Sequence, residues 1–151
     1  MKFIKTALCT TLFFALSISY AQVTIRTSEI GITKMEEFSE WKKEEFKFED
    51  GTSATIEYRF ALATRKGIAC HYDLEVKNAS EVKVTVRLKS NYYDKFVKSY
   101  FGEEIKESLK PGKSIVGRLV AQGCKKEKGS DLDDFDACLA CDFTATISVT
   151  K

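Results

Sequence analysis

The sequence predicts an all-β fold, an antiparallel two-layer sandwich. Three observations carry that expectation. Apolar and polar residues alternate with period two in at least five separate runs, the mark of strands with one buried face. The runs are short and joined by turn chemistry. Cysteines occur in an even number behind a leader of the export type, which points to disulfide cross-links.

In chain order, the first segment is "MKFIKTALCTTLFFALSISYA". Lys2 and Lys5 precede an apolar run from Ala7 to Ile18, and Ser19 and Ala21 hold the −3 and −1 positions of a cleavage site. This is read as a secretory signal peptide, residues 1–21, and is set aside from the fold. The apolar run, about 12 residues against the usual ~20 of a spanning helix, is too short to cross a bilayer. Cys9 lies inside the run rather than after it, unlike a bacterial lipoprotein signal. The expected mature chain is one domain, residues 22–151, long enough for a real core. No later segment is apolar enough to cross a membrane.

Removing Lys2 and Lys5 from the 24 basic residues leaves 22, against 22 acidic residues. A balanced chain has no basic field for nucleic acid and no acidic tail. One proline and 12% aromatic residues argue against disorder.

The strands follow in order. "VTIRT" is the first. "TIEYRFAL" sets Ile56, Tyr58, Phe60 and Leu62 against Glu57 and Arg59. "CHYDLEV" sets Cys70, Tyr72, Leu74 and Val76 against His71, Asp73 and Glu75. "EVKVTVRLK" opposes Val82, Val84, Val86 and Leu88 to Lys83, Thr85, Arg87 and Lys89. "SIVGRLVAQ" alternates through Ile115, Gly117, Leu119 and Ala121. "DFTATISVT" sets Phe143, Ala145, Ile147 and Val149 against hydroxyl residues. "VKNASEVK" reads as a hairpin connection. "LKPGKS" places Pro111 and Gly112 at the centre of a type II turn, where glycine takes the positive φ of the second position. Two segments read instead as short helices or irregular insertions. "TKMEEFSEWKKEEF" has a possible capping box at Thr33 and Glu36, and Met35, Phe38 and Trp41 at helical spacing. "NYYDKFVKSYFG" spaces Tyr93, Phe96, Val97, Tyr100 and Phe101 likewise. "FKFEDGTS" reads as a strand and turn.

The order "YDLEVKNASEVKVTVRLK" then "LKPGKS" resembles the immunoglobulin-like or fibronectin-type β-sandwiches of exported bacterial proteins, over about residues 52–151. The resemblance is one of architecture. It lacks the tryptophan between two inter-sheet cysteines, because Trp41 precedes all four mature cysteines. It implies that the loops before "CHYDLEV" and "DFTATISVT" share one pole, so Cys70, Cys124, Cys138 and Cys141 gather there. Strand parity turns Cys70 and Cys141 inward and Cys124 outward. That favours Cys124–Cys138 with Cys70–Cys141. A bulge near Gly123 favours Cys70–Cys124 with Cys138–Cys141, so the connectivity stays open. Four-thiolate zinc is disfavoured, since Cys70 and Cys124 stand alone in sequence. A redox dithiol lacks its βαβ setting.

The segment "GCKKEKGSDLDDFDACLAC" is the candidate binding loop, with Lys125, Lys126, Lys128, Asp131, Asp133, Asp134 and Asp136. Its acidic spacing lacks the glycine and distal glutamate of an EF-hand, so it reads as a solvated surface and no metal is assigned. Tyr92, Tyr93 and Tyr100 form a candidate aromatic platform for sugar rings. The sequence pattern supplies no serine or free cysteine to act with His71, and Asn78-Ala79-Ser80 reads as a turn despite matching a glycosylation sequon. With no nucleophile–base pair visible, the expectation is a small non-catalytic binding or accessory domain, secreted or periplasmic. It needs no cofactor, it binds a protein or glycan, and its recognition pole is stapled by disulfides. A carbohydrate-binding module using the tyrosines and a structural envelope protein are the alternatives.

Overall fold

The structure, a computed structural model, describes residues 21–26, 29–65, 68–94, 99–101, 104–120, 136, 138 and 143–151, with backbone alone at 64–65, 68–69, 91–94, 99–101, 120 and 143. Among these residues lie nine strands: β1 (Ala21–Arg26), β2 (Lys42–Lys47), β3 (Ser53–Arg65), β4 (Ile68–Asn78), β5 (Val84–Asp94), β6 (Ser99–Phe101), β7 (Glu104–Leu109), β8 (Ser114–Val120) and β9 (Phe143–Thr150). They form two sheets with antiparallel pairing throughout. The first has the order β1-β9-β5-β6, with β7 also on β5; the second has the order β2-β3-β4-β8.

The core lies between the sheets, and the period-two runs supply it. Ile56, Tyr58, Phe60 and Leu62 of β3 and Cys70, Tyr72, Leu74 and Val76 of β4 are all buried. They face Val84, Val86 and Leu88 of β5 and Ala145, Ile147 and Val149 of β9, also buried. Each such aliphatic side chain contributes roughly 1.5–3 kcal/mol through burial. Gly117 of β8 marks a close approach of the sheets. A β-carbon there would meet the Cδ1 atoms of Ile105 at 2.8 Å and Leu88 at 3.0 Å. Glycine thus leaves room for a methyl group from each sheet-facing neighbour.

Of the two segments expected as short helices or irregular insertions, the first is irregular over residues 33–41, and the second is strand at its described residues 91–94 and 99–101, with Phe96 and Val97 outside the described residues. In the first, Glu36 has φ 61° and its N–H donates to the Leu62 carbonyl at 2.8 Å, while the Ser39 N–H donates to Phe60 O at 2.7 Å. Residues 36–39 therefore lie along the continuation of the β3 edge, with Phe38 bridged to Ala61. Backbone partners from β3 outweigh the local capping signal, a case of tertiary pairing overriding propensity. "KKEEFK" then enters β2, where Phe46 points inward opposite Ala54. In the second segment, β5 runs on to Asp94 and pairs with β6, setting Tyr93 opposite Tyr100.

The Asn-Ala-Ser connection is not a hairpin, because β4 and β5 belong to different sheets. Asn78 is fully buried and holds this crossover together. Its Nδ2 donates to Val82 O at 2.8 Å and Leu109 O at 3.0 Å, and its Oδ1 accepts from the Ser80 N–H at 3.0 Å. The second crossover, from β7 to β8, is the expected Pro-Gly turn. Gly112 has φ 72°, and the Lys113 N–H closes the turn on Lys110 O at 3.1 Å. The two crossovers are joined, since the Asn78 N–H donates to Lys113 O and the Gly112 N–H to Asn78 O. Asn78 is therefore an internal strut, with its amide committed to the backbone.

Candidate functional site

The stapled pole is built by one disulfide different from both expected pairings. Cys70 bonds Cys138, with α-carbons 5.7 Å apart and 68 residues between them in sequence. This corrects Cys124–Cys138 with Cys70–Cys141, and equally Cys70–Cys124 with Cys138–Cys141. The inward parity of Cys70 is as expected. The partner differs because Cys138 lies at a residue of helical backbone ahead of β9, outside any strand, where strand parity does not apply. Both sulfur-bearing residues are buried, and the Tyr72 hydroxyl donates to Cys138 O at 3.1 Å. Cys124, Cys141, Lys125, Lys126, Lys128, Asp131, Asp133 and Asp134 lie outside the described residues; Asp136 is exposed. The side chains of Tyr92, Tyr93 and Tyr100 also lie outside the description.

The chemistry that the structure does place together is on the outer face of the second sheet. There the strand register lines up opposite charges across neighbouring strands. Arg59 of β3 is opposite Glu75 of β4, with Nη2 and Nε reaching Oε2 at 2.7 and 2.8 Å. Lys77 reaches Glu57 at 3.0 Å. Arg118 of β8 grips Asp73 with two bonds, at 2.8 and 3.2 Å. The fork geometry makes this the more specific kind of ion pair, and Asp73 raises the Arg118 guanidinium above its ordinary pKa.

Aromatic rings cover this ladder from the β2 side. The Arg59 guanidinium carbon lies 4.5 Å from the ring centre of Phe38 and 4.3 Å from that of Trp41, and the Lys77 ammonium lies 5.9 Å from the latter. Stacking on an arginine plane favours the guanidinium over any ammonium. Phe38 is 38% exposed and Trp41 39%, so neither ring belongs to the core.

Beside Phe38 the face dips into an open depression of about 360 Å³. Ala61 and Ala63 form its floor, Phe38 and Glu36 one wall, and His71, Asp73 and Arg118 the other. The depression exists because the outward positions of β3 read Glu57, Arg59, Ala61, Ala63. Two long charged residues give way to two methyl groups. It sits at the stapled end of the sheet. Ala63 pairs with His71, which follows Cys70 in sequence and faces the opposite way. The disulfide thus pins from inside the strand that lines the depression outside.

Sequence reasoning named His71, Asp73, Glu75, Glu57 and Arg59 as a polar face without assigning them a role, and did not single out Phe38, Trp41, Ala61, Ala63 or Arg118 as site residues. The signal was the break in charge at Ala61 and Ala63. Its meaning depended on the β3–β4–β8 register, which no local pattern fixes. Among the described residues, no helix is long and apolar enough to cross a membrane. No protein-family model matches the chain, and no match was found among the curated proteins.

Proposed function

We propose that this chain is a small exported, non-catalytic binding domain, and that its recognition surface is the outer face of the β2-β3-β4-β8 sheet next to the stapled pole. The observation that carries the reading is the open depression of about 360 Å³ between Phe38 and the Arg118–Asp73 pair. A concave, partly apolar surface with a few fixed polar groups is the usual form of a ligand site. The rim is held in advance by cross-strand ion pairs and by the disulfide behind it, which lowers the ordering cost of binding. Two features support a role without catalysis: among the described residues, no serine, threonine or cysteine lines the depression, and Asp73 is engaged by Arg118. Export is supported by the leader and by the buried Cys70–Cys138 bond, which persists in oxidising compartments. Cleavage after Ala21 leaves residues 22–26 of β1 to pair with β9.

The test is photo-crosslinking in cells producing the full chain. A photoreactive phenylalanine analogue replaces Ala63 in one version and Thr146 in the other. Thr146 lies on the outer face of the first sheet, opposite Thr24. The expected result is an adduct from position 63 and none from 146, on a mature chain whose mass corresponds to cleavage before Gln22. Equal labelling at both positions, or none at 63, overturns the assignment of this face. Retention of Met1 in the mature chain overturns export.

A further inference from the structure

Resting on that binding-face reading, we infer that the depression takes a neutral pyranose ring of a glycan, stacked on Phe38 and hydrogen-bonded by the opposite wall. Four properties of the site select this chemistry.

The first is charge. The lining mixes signs, with Glu36 and Asp73 against Arg118, so a net charge of either sign on the ligand meets a like charge. The nearby cations are also matched internally. Arg59 pairs with Glu75, Lys77 with Glu57, and Arg118 with Asp73, so a phosphate or a uronate that approaches any of these cations also meets the carboxylate beside it.

The second is polarity. A purely apolar ligand would cover Asp73 and Arg118 without replacing their contacts with water, and buried polar groups left unpaired are costly. Hydroxyl groups serve both partners at once, because each both donates and accepts. Asp73 supplies acceptor oxygens, and the exposed Arg118 supplies the N–H donors that its pairing with Asp73 leaves over, along one rim.

The third is shape. The β3 side of the depression carries only the methyl groups of buried Ala61 and half-buried Ala63, and Phe38 stands beside them with more than a third of its surface exposed. The C–H faces of a pyranose ring are apolar and match an aromatic wall. The fourth is size. About 360 Å³ is near the lower bound of small-molecule sites, roughly 300–1,000 Å³, which suits one ring. Further rings of a chain would run along β3 toward Trp41, which shares the Arg59 guanidinium with Phe38.

The experiment is a glycan array carrying neutral and acidic glycans, probed with the mature chain, followed by titration calorimetry with the best-bound free oligosaccharide. Three variants are compared after thermal melts establish that each folds: Ala63→Trp, which fills the depression; Phe38→Ala, which removes the stacking wall; and Thr146→Trp on the other sheet. The expected result is retention of neutral glycans over acidic ones. Affinity falls about tenfold or more in the first two variants, equivalent to at least about 1.4 kcal/mol, and is unchanged in the third. Binding of acidic glycans alone, no retention of any glycan, or neutral binding indifferent to Ala63→Trp each overturns the glycan assignment. If the array is negative while position 63 still gives its specific adduct in cells, the glycan proposal falls and the binding face stands. If both are negative, the face itself is wrong.

Discussion

Asn78 joins the two crossovers between the sheets at a single point. Its side-chain amide satisfies a half-buried carbonyl, Val82 O in the β4–β5 crossover, and a buried one, Leu109 O at the end of β7. Asn78→Ala leaves both acceptors and the Ser80 N–H without this partner, and each stranded buried group costs about 1–3 kcal/mol. The expected loss is about 3 kcal/mol in urea unfolding, with Asn78→Asp no better because it presents oxygen to both carbonyls. A loss below about 1 kcal/mol would show that water replaces the amide. Asp50 is a second instructive residue. It caps the β2–β3 turn by accepting from the Thr52 N–H and hydroxyl, and it also binds Lys151 at 2.9 Å, beyond the end of β9. These hydrogen bonds hold its carboxyl well below the ordinary 3.8. The folded state therefore binds fewer protons than the unfolded one. Its contribution is present above the unfolded value and is lost as pH falls through the folded one. Wild type is expected to melt above Asp50→Asn at pH 7, and the gap is expected to narrow progressively below pH 3.8. A gap that is constant down to strongly acid pH would mean that the carboxylate charge plays no part.

At the scale of elements, the outer face of the second sheet is organised by Arg59, which joins β3 to Glu75 on β4 and to the rings of Phe38 and Trp41. Arg59→Ala removes both ring contacts and leaves the mostly buried Glu75 without its ion pair. Arg59→Lys keeps the charge but not the stacking plane or fork. Losses of about 2 kcal/mol for alanine and about 1 kcal/mol for lysine are expected from chemical unfolding. Trp41 is the chain's sole tryptophan, so its fluorescence should shift to the red in both variants. An unchanged spectrum would separate the ring from the arginine. The elements themselves were legible to the extent that they obey local rules. The described apolar positions of β3, β4, β5, β8 and β9 point inward as their period predicts, because burial on one face imposes period two on the sequence. Lys110–Lys113 turned as proline and glycine dictate. What failed to read locally was settled by distant partners. Residues 36–39 have helical spacing, yet they hydrogen-bond to β3. The Asn-Ala-Ser connection has turn composition, yet it changes sheets. The depression needs Ala61, Ala63, His71 and Arg118 from three strands, and only pairing register brings them together.

At the scale of the whole molecule, the two sheets share one apolar layer, and the Cys70–Cys138 bond ties the start of β4 in the second sheet to the segment ahead of β9 in the first. That link spans 68 residues, including the crossover at Asn78, β5 to β7, the Pro-Gly turn and β8. Closing a loop of that length removes unfolded-state entropy worth about 4 kcal/mol in the chain-entropy model. Against a usual total of 5–15 kcal/mol for a domain, this is a large fraction. The double variant Cys70→Ala/Cys138→Ala is therefore expected to lose about 4 kcal/mol of unfolding free energy, offset in part by packing of the two buried methyl groups. Reduction of the wild type should reproduce most of that loss and add little in the variant. Non-reducing peptide mapping should recover Cys70 joined to Cys138, and, if the proposed export is right, an unreduced, denatured mature chain should titrate no free thiol. Because the bond pins the strand that carries His71 and Asp73, glycan affinity should fall on reduction even at temperatures where the sheets stay folded. If affinity survives reduction intact, the depression is organised by the ion-pair ladder alone, and the stapled pole serves stability without shaping the site.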